Sequence, residues 1–553
     1  MALPALLFAA LTAVPVAVVV ASILMPGTGE VWRHLAQTVL ADYVLNTIAL
    51  MLGVGIGVIA VGVGAAWLVT LYDFPGRRAF EWALVLPMAM PAYVMAYAYT
   101  DFLQFTGPVQ SALRETFGWT RHDYWFPDIR SVPGAIAMFV FVLYPYVYLL
   151  ARAAFLERSA NVLEVGRTLG YGSWSVFLRL SVPLARPAIA GGTALALMET
   201  LADYGTVAYF SVHTFTTGIY RAWLSLGDRV AASQLAAALL GFVLLVLLIE
   251  RLSRGRASYA PGARSRPMVR HRLRGAAAVA ALLGCAIPVA LGFVLPAAIL
   301  AGLAAGHPEA HVGARYLALA GNSFTLAALT AALAALAATL LAYAARLHPG
   351  ALTRAACRLV GLGYAVPGAV IAVGVLIPLA AFDNWLDALA RRHLGWATGL
   401  LFTGTIVALV YAYLVRFLSV ALESVEAGLG KVTRSMDDAA RSLGYGPAAT
   451  LWRVHLPLIA PSVLTAALLV FVDVMKELPA TLVIRPFNFD TLATQAYTFA
   501  SDERLAQAAV ASLVIVAVGV LPVIIVLRTM TRGAGARPVT AVVPPATLPG
   551  PAR

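Results

Sequence analysis

The chain has 553 residues, 61% of them hydrophobic and 12% charged, with a formal net charge of +13 and a mean hydropathy of +0.84. Soluble proteins are about half apolar and about a quarter charged, so these values exclude an ordinary soluble enzyme, and length counts membrane spans rather than globular domains. The positive charge is nearly all arginine, set between apolar runs, with Lys431 and Lys476 the only lysines; this points to topology and anionic lipid rather than nucleic acid.

Crossing a hydrocarbon core of about 30 Å takes roughly 20 apolar residues. Six such runs fall near 3–25, 44–71, 82–104, 132–153, 187–210 and 232–250, and six more near 275–303, 320–345, 359–381, 398–420, 459–484 and 506–528. The first lacks a basic leader and is too long for a signal-peptide core, so it reads as an uncleaved span. Arginine-rich connections (77–78, 152–186, 251–274, 346–358, 431–453 and the tail with Arg528, Arg532 and Arg537) alternate with mixed-charge ones such as 105–131 and 382–397. By the positive-inside rule, both chain termini are then expected on the cytoplasmic side.

The segment 251–274 holds eight arginines, two prolines and no acid, the composition of a cytoplasmic linker at a membrane surface. It separates a first six-span half, 1–250, from a second, 275–530; the remainder, 531–553, reads as a disordered tail. Cys285 and Cys357 make no disulfide or metal-ligand pattern, and the histidines are scattered.

The halves repeat each other. Glu164 to Pro187 returns at Asp438 to Pro461, at an offset of 274, sharing Arg167/Arg441, Gly170/Gly444, Tyr171/Tyr445, Gly172/Gly446, Arg179/Arg453, Pro183/Pro457 and Pro187/Pro461. The same offset sets Glu199 and Asp203 on Asp473 and Glu477, Phe215 on Phe489, Thr217 on Thr491 and Asp228 on Asp502; an offset of 276 sets Asn46 on Asn322 and Pro91 on Pro367. Six spans per half make the repeat parallel, its axis along the membrane normal. The stretches 160–169 and 432–443 read as short helices, Gly170 and Gly444 as sharp turns after them, and Pro183 and Pro457 as the starts of the next spans. Two matching polar segments at one membrane face predict a partner with two sockets.

This segment resembles the EAA loop of importer-type ABC transporter permeases. Glu164, Gly170 and Val182-Pro183 fit the first copy; Asp438, Ala439, Ala440, Gly444 and Leu456-Pro457 fit the second, with Asp for Glu. The resemblance implies an all-α membrane protein of about twelve helices in two fused permease halves. Its coupling loops, carried by Glu164, Arg167, Gly170, Tyr171, Gly172 and Pro183 and by Asp438, Ala439, Ala440, Arg441, Gly444, Tyr445, Gly446 and Pro457, would dock two copies of a cytoplasmic ATPase. Leu86 to Trp119, Glu199 to Val207 and Asp473 to Glu503 look like the ferric-iron permeases, which implies a periplasmic ferric-iron-binding partner and an inner-membrane location. Fused permeases for thiamine, 2-aminoethylphosphonate, polyamines or sulfate share this architecture. The sole Gly-Lys, Gly430-Lys431, is followed by Val432, so no P-loop is present; ATP and Mg belong to the partner, and no cofactor is expected on this chain.

Glu199, Asp203, Asp473 and Glu477 lie inside apolar runs, where each charge costs about 2.5–3.5 kcal/mol and marks function by default. Spaced four apart, each pair is expected on one helix face, lining a pathway, with no metal site firmly assigned. Pairing with Lys476, with Arg or with backbone donors from neighbouring spans to fix packing is the competing reading. Met88, Met90, Met95, Tyr93, Tyr97 and Tyr99 read as packing residues before metal ligands. A secondary transporter would favour inverted repeats, and a membrane enzyme would need a nucleophile–base pair that does not emerge.

Overall fold

The computed structural model describes residues 2–26, 29–168, 171–254, 270–306 and 313–534, without the side chains of 2–5, 157–168, 173, 254 and 525–534. It is all-α apart from one two-residue parallel pairing, Tyr72–Asp73 with His271–Arg272, which ties the end of the basic linker to the first half. Among the described residues eleven helices are long and apolar enough to cross a membrane, twelve when one bent pair is counted as a span. Apolar side chains such as Leu45, Ile56, Leu248, Leu317 and Leu464 point outward from these helices, as lipid-facing residues do.

The expected third span is not one straight helix. Arg77–Ala89 and Ala92–Phe117 meet at 91°. Pro87 lies in a short 3₁₀ turn, Leu86–Ala89, and Pro91 just after it is extended at φ −62°, ψ 141°. Two missing N–H donors inside one apolar run break the ladder. The run near 359–381 is interrupted at the equivalent place: Ala351–Gly361 ends, a 3₁₀ turn follows, and Pro367 at φ −59°, ψ 143° starts Gly368–Leu394. Pro91 and Pro367 thus hold the equivalence that the repeat assigns them.

The two halves exchange their first spans. Ala2–Ala21 packs on Ala314–Leu347, Ala351–Gly361 and Gly368–Leu394 of the second half; Ala276–Val289 packs on Leu40–Leu71 and Arg77–Ala83 of the first. Proline stitches both exchanges. Pro15 cannot donate to the Leu11 carbonyl four residues back, and Tyr411 of the other half donates to it at 2.6 Å. Pro296, after the π-turn Ala290–Val294, leaves the Leu291 carbonyl open, and Tyr99 donates to it at 2.7 Å.

The equivalence is sharpest where hydrogen bonds repeat. Asn46 donates to the His213 carbonyl at 2.9 Å and Asn322 to the Asp490 carbonyl at 3.0 Å. Thr214 with Thr217, and Thr491 with Thr494, form the same capping box. The offset here is therefore 277, not 274, and the pairings Phe215/Phe489, Thr217/Thr491 and Asp228/Asp502 are wrong. Three extra residues in the second copy's turn, which passes through Asn488 at φ +62°, shift the register. The last span helix continues through Ala534, so the tail begins later than 531; residues 535–553 lie outside the described residues.

Candidate functional site

Two regions carry the residues singled out by the sequence. The first is the repeated polar segment. In the second copy a separate helix, Arg434–Ser442, follows a break after Leu429. Gly444 has φ +81°, its N–H donates to the Arg441 carbonyl at 2.9 Å, and Tyr445 N–H reaches the Ala440 carbonyl at 3.0 Å. This is the Schellman closure that favours glycine, and it turns the chain back toward the membrane. Arg453 lies 5.5 Å over the Tyr445 ring, and Arg179 lies 5.9 Å over Tyr171, so the shared Arg/Tyr pair forms in both copies. Asp438 pairs with Arg441 at 2.6 Å on the surface, with Ala439 on the same helix turn and Ala440 buried beneath it.

Two expectations change. The first copy has no separate short helix: Val132–Thr168 runs unbroken from the fourth span. Pro183 and Pro457 do not start their spans. The helices begin at 173 and 447, pass through π-turns at Phe177–Ser181 and Leu451–His455, and place each proline in the α-helical segment beyond. Side chains of Glu164 and Arg167, and all of Gly170, lie outside the described residues; Tyr171 and Gly172 are exposed.

Asp437 is the anchor of the second copy and was not legible as such. Arg346 donates to Asp437 Oδ2 at 2.8 Å and to the Leu429 and Val432 carbonyls at 2.8 Å each, and His455 Nε2 meets Asp437 Oδ1 at 2.5 Å. At the 274 offset the first copy has Leu163 instead; held by a continuous helix, it needs no bolt. Asp437→Ala leaves Arg346 and the buried His455 without this carboxylate, a loss of about 1–3 kcal/mol. It should loosen Arg434–Ser442 without preventing insertion, read as faster amide exchange confined to 430–446.

The second region is a central chamber of about 100 Å³ between the halves, lined by Glu199, Asp203, Asp473, Glu477, Arg416 and Lys476. All four expected acids meet there, but not as two helix faces. Asp203 and Glu477 sit just past their helix ends, extended at ψ 135° and 122°. Their carboxylates start the next short helices instead. Asp203 accepts from Thr206 N–H at 2.8 Å and the Thr206 hydroxyl at 3.1 Å; Glu477 accepts from Ala480 N–H at 3.1 Å and the Thr481 hydroxyl at 3.0 Å. Short-range bonds to free N–H groups outcompete continuation of the helix.

Glu199 and Asp473 remain on their helices. Lys476 pairs with Asp473 at 2.8 Å, as the packing alternative expected. Arg416 pairs with Glu477 at 3.1 Å and lies 3.9 Å from Glu199. An arginine inside the run 398–420 was the available signal for Arg416, which counting loop arginines passes over. Gly368 makes room for this pair: a Cβ there would meet Glu477 Oε1 at 2.6 Å and Arg416 Nη1 at 3.0 Å.

Met88, Met90 and Tyr93 line the chamber, whereas Met95, Tyr97 and Tyr99 are packed in the core. Among the described residues no group of three or more His, Cys, Asp or Glu side chains is placed to hold a metal ion.

With two polar segments and one shared chamber in place, the comparisons with known proteins decide the family. The family of binding-protein-dependent transport system inner membrane components matches residues 58–259 and 334–534, one match in each half and most of the chain. The chain belongs to that family. It is the permease component of an ATP-binding-cassette importer, a multi-pass protein of the inner membrane that works with an ATPase and a periplasmic binding protein. The permease is 26% identical over 501 residues to the Fe(3+)-transport system permease protein FbpB 2 of Haemophilus influenzae, covering 88% of this chain and 90% of that one. It is also 26% identical over 231 residues to the molybdenum transport system permease protein ModB of Escherichia coli, which covers 40% of this chain and 96% of that protein. The sulfate transport system permease protein CysW of Escherichia coli is 29% identical over 169 residues, 30% of this chain and 55% of that protein.

Proposed function

We propose that this permease moves ferric iron, delivered by a periplasmic binding protein, through the central chamber into the cytoplasm. The observation that carries the reading is the chamber's charge: four carboxylates against two cations, Arg416 and Lys476. At ~6 Å and an effective dielectric of ~20, each further negative charge meets about 3 kcal/mol of repulsion per unpaired carboxylate, and a cation gains as much. An oxyanion such as molybdate or sulfate would enter against that field. The similarity to an Fe(3+) permease over 88% of the chain supports the same cargo.

The repeated segments are the coupling loops in this reading, and they face the cytoplasm with both chain termini. Arg434–Ser442 with Gly444, Tyr445 and Gly446 docks one ATPase subunit. The segment through Tyr171 and Gly172 docks the second. Exposed Leu443 and Trp452 supply the apolar contact. ATP-driven closure of the ATPase pair then reaches the chamber through the helices rising to Glu199 and Asp473. The six-span halves, 1–250 and 275–530, move against each other in this cycle, each carrying the first span of the other.

Purifying the assembled importer with its binding protein, and identifying by elemental analysis and mass spectrometry what that protein carries, tests the cargo. Ferric iron is expected. Molybdate, sulfate, thiamine or a phosphonate in its place would overturn the iron reading while leaving the importer intact.

A further inference from the structure

Arg416 belongs to neither repeated motif, and the first half puts no cation into the chamber beside it. It lies in Ile406–Leu429 of the second half, with its side chain 8% exposed. Its guanidinium contacts Glu477 of its own half and lies near Glu199 of the other, while its Nε has no hydrogen-bond partner. A buried guanidinium has five N–H donors to satisfy, so Arg416 is held by charge at an incompletely bonded site.

The helix start at Glu477 does not require this arginine. The equivalent Asp203 starts its own helix with Thr206 and Val207 donors alone, and Glu477 has the matching Ala480 and Thr481 donors. What Arg416 adds is reach across the boundary between the halves to Glu199. Gly368 keeps the backbone clear for that reach.

We propose that Arg416 is a tethered counter-cation: it occupies the gap between Glu199 and Glu477 while the chamber is empty, latches the halves together, and is displaced by a metal-cation cargo. This deepens the cation reading above and rests on it. A multivalent ion puts more charge into less volume than a guanidinium, so it competes for the same two carboxylates and frees the halves to move. The latch thereby makes the resting importer hydrolyse ATP slowly until cargo arrives.

The test is ATP hydrolysis by the complete importer in lipid nanodiscs, with and without Fe³⁺-loaded binding protein, for Arg416→Gln and Arg416→Lys. Coupling between sites commonly spans about 5–150-fold. Arg416→Gln should therefore raise cargo-free hydrolysis on the order of tenfold, toward the stimulated rate. Arg416→Lys keeps the charge without the fork and should fall between. Should Arg416→Gln fail to assemble, Arg416→Gln with Glu477→Gln removes the closer ion pair as a unit and should show the same lost control. An assembled variant without charge at 416 that keeps slow cargo-free hydrolysis and full stimulation overturns the latch. The cargo-free arm reads the latch with no cargo present. Wild-type stimulation by molybdate-loaded but not Fe³⁺-loaded binding protein would instead overturn the cation reading and the competitor role with it.

Discussion

Replacing Gly444 with valine should strip the second-half side of the permease of its ATPase while leaving the protein inserted. At φ +81° any side chain is strained, by about 1–2 kcal/mol for an ordinary residue and more for a β-branched one. The turn also carries two closing bonds, Gly444 to Arg441 and Tyr445 to Ala440, each contributing about 1 kcal/mol. Nothing lies within 4 Å of a Cβ built there, so the cost is conformational and not a clash. Asparagine, which tolerates this conformation, should restore most binding. Each ~1.4 kcal/mol is tenfold in affinity, so affinity at the second-half socket should fall about tenfold or more for Gly444→Val, and ATPase co-purified per permease should fall toward half. Full co-purification of that variant would refute docking at this turn.

Much of this architecture was legible because its physical causes are local. Apolar length alone locates most of the spans. Glycine punctuation located the turn at Gly444, and the repeat offset matched Pro91 with Pro367 without showing that either breaks its run. What escaped depends on packing between distant segments. Nothing local says that Pro87 and Pro91 fold one apolar run through 91°, because prolines are tolerated in spans whenever a neighbour satisfies the freed carbonyls. Pro15 and Pro296 are such cases, with Tyr411 and Tyr99 as the neighbours.

The chamber divides the same way. Acids inside apolar runs announced themselves through their insertion cost. Their roles did not, because a helix end at Asp203 or Glu477 is decided by which N–H groups their carboxylates reach. Arg416 and Asp437 were missed for opposite reasons. Arg416 lies in a run otherwise read for hydropathy. Asp437 stands beside the motif acid Asp438 and differs from it only in having Arg346 and His455 within reach.

That division of labour selects the variant with which to test the chamber. Glu199→Gln combined with Asp473→Asn removes two carboxylates that start no helix, leaving the bonds of Asp203 and Glu477 intact. The side chains are nearly isosteric, and Lys476, 32% exposed, can turn toward water when Asp473 loses its charge. Insertion, thermal unfolding and bound ATPase should therefore stay near wild type. Uptake should not. At about 3 kcal/mol per unit-charge pair, neutralising two acids takes about 6 kcal/mol or more from a cation in transit, and even one-quarter of that is on the order of a tenfold loss of rate. Iron uptake into cells depleted of other importers should drop at least about tenfold. Asp203→Asn should instead lower the unfolding temperature, because the start of Gly205–Tyr209 loses a charged acceptor. Normal uptake by a fully inserted Glu199→Gln/Asp473→Asn permease would mean that these acids fix helix packing and that cargo does not meet them.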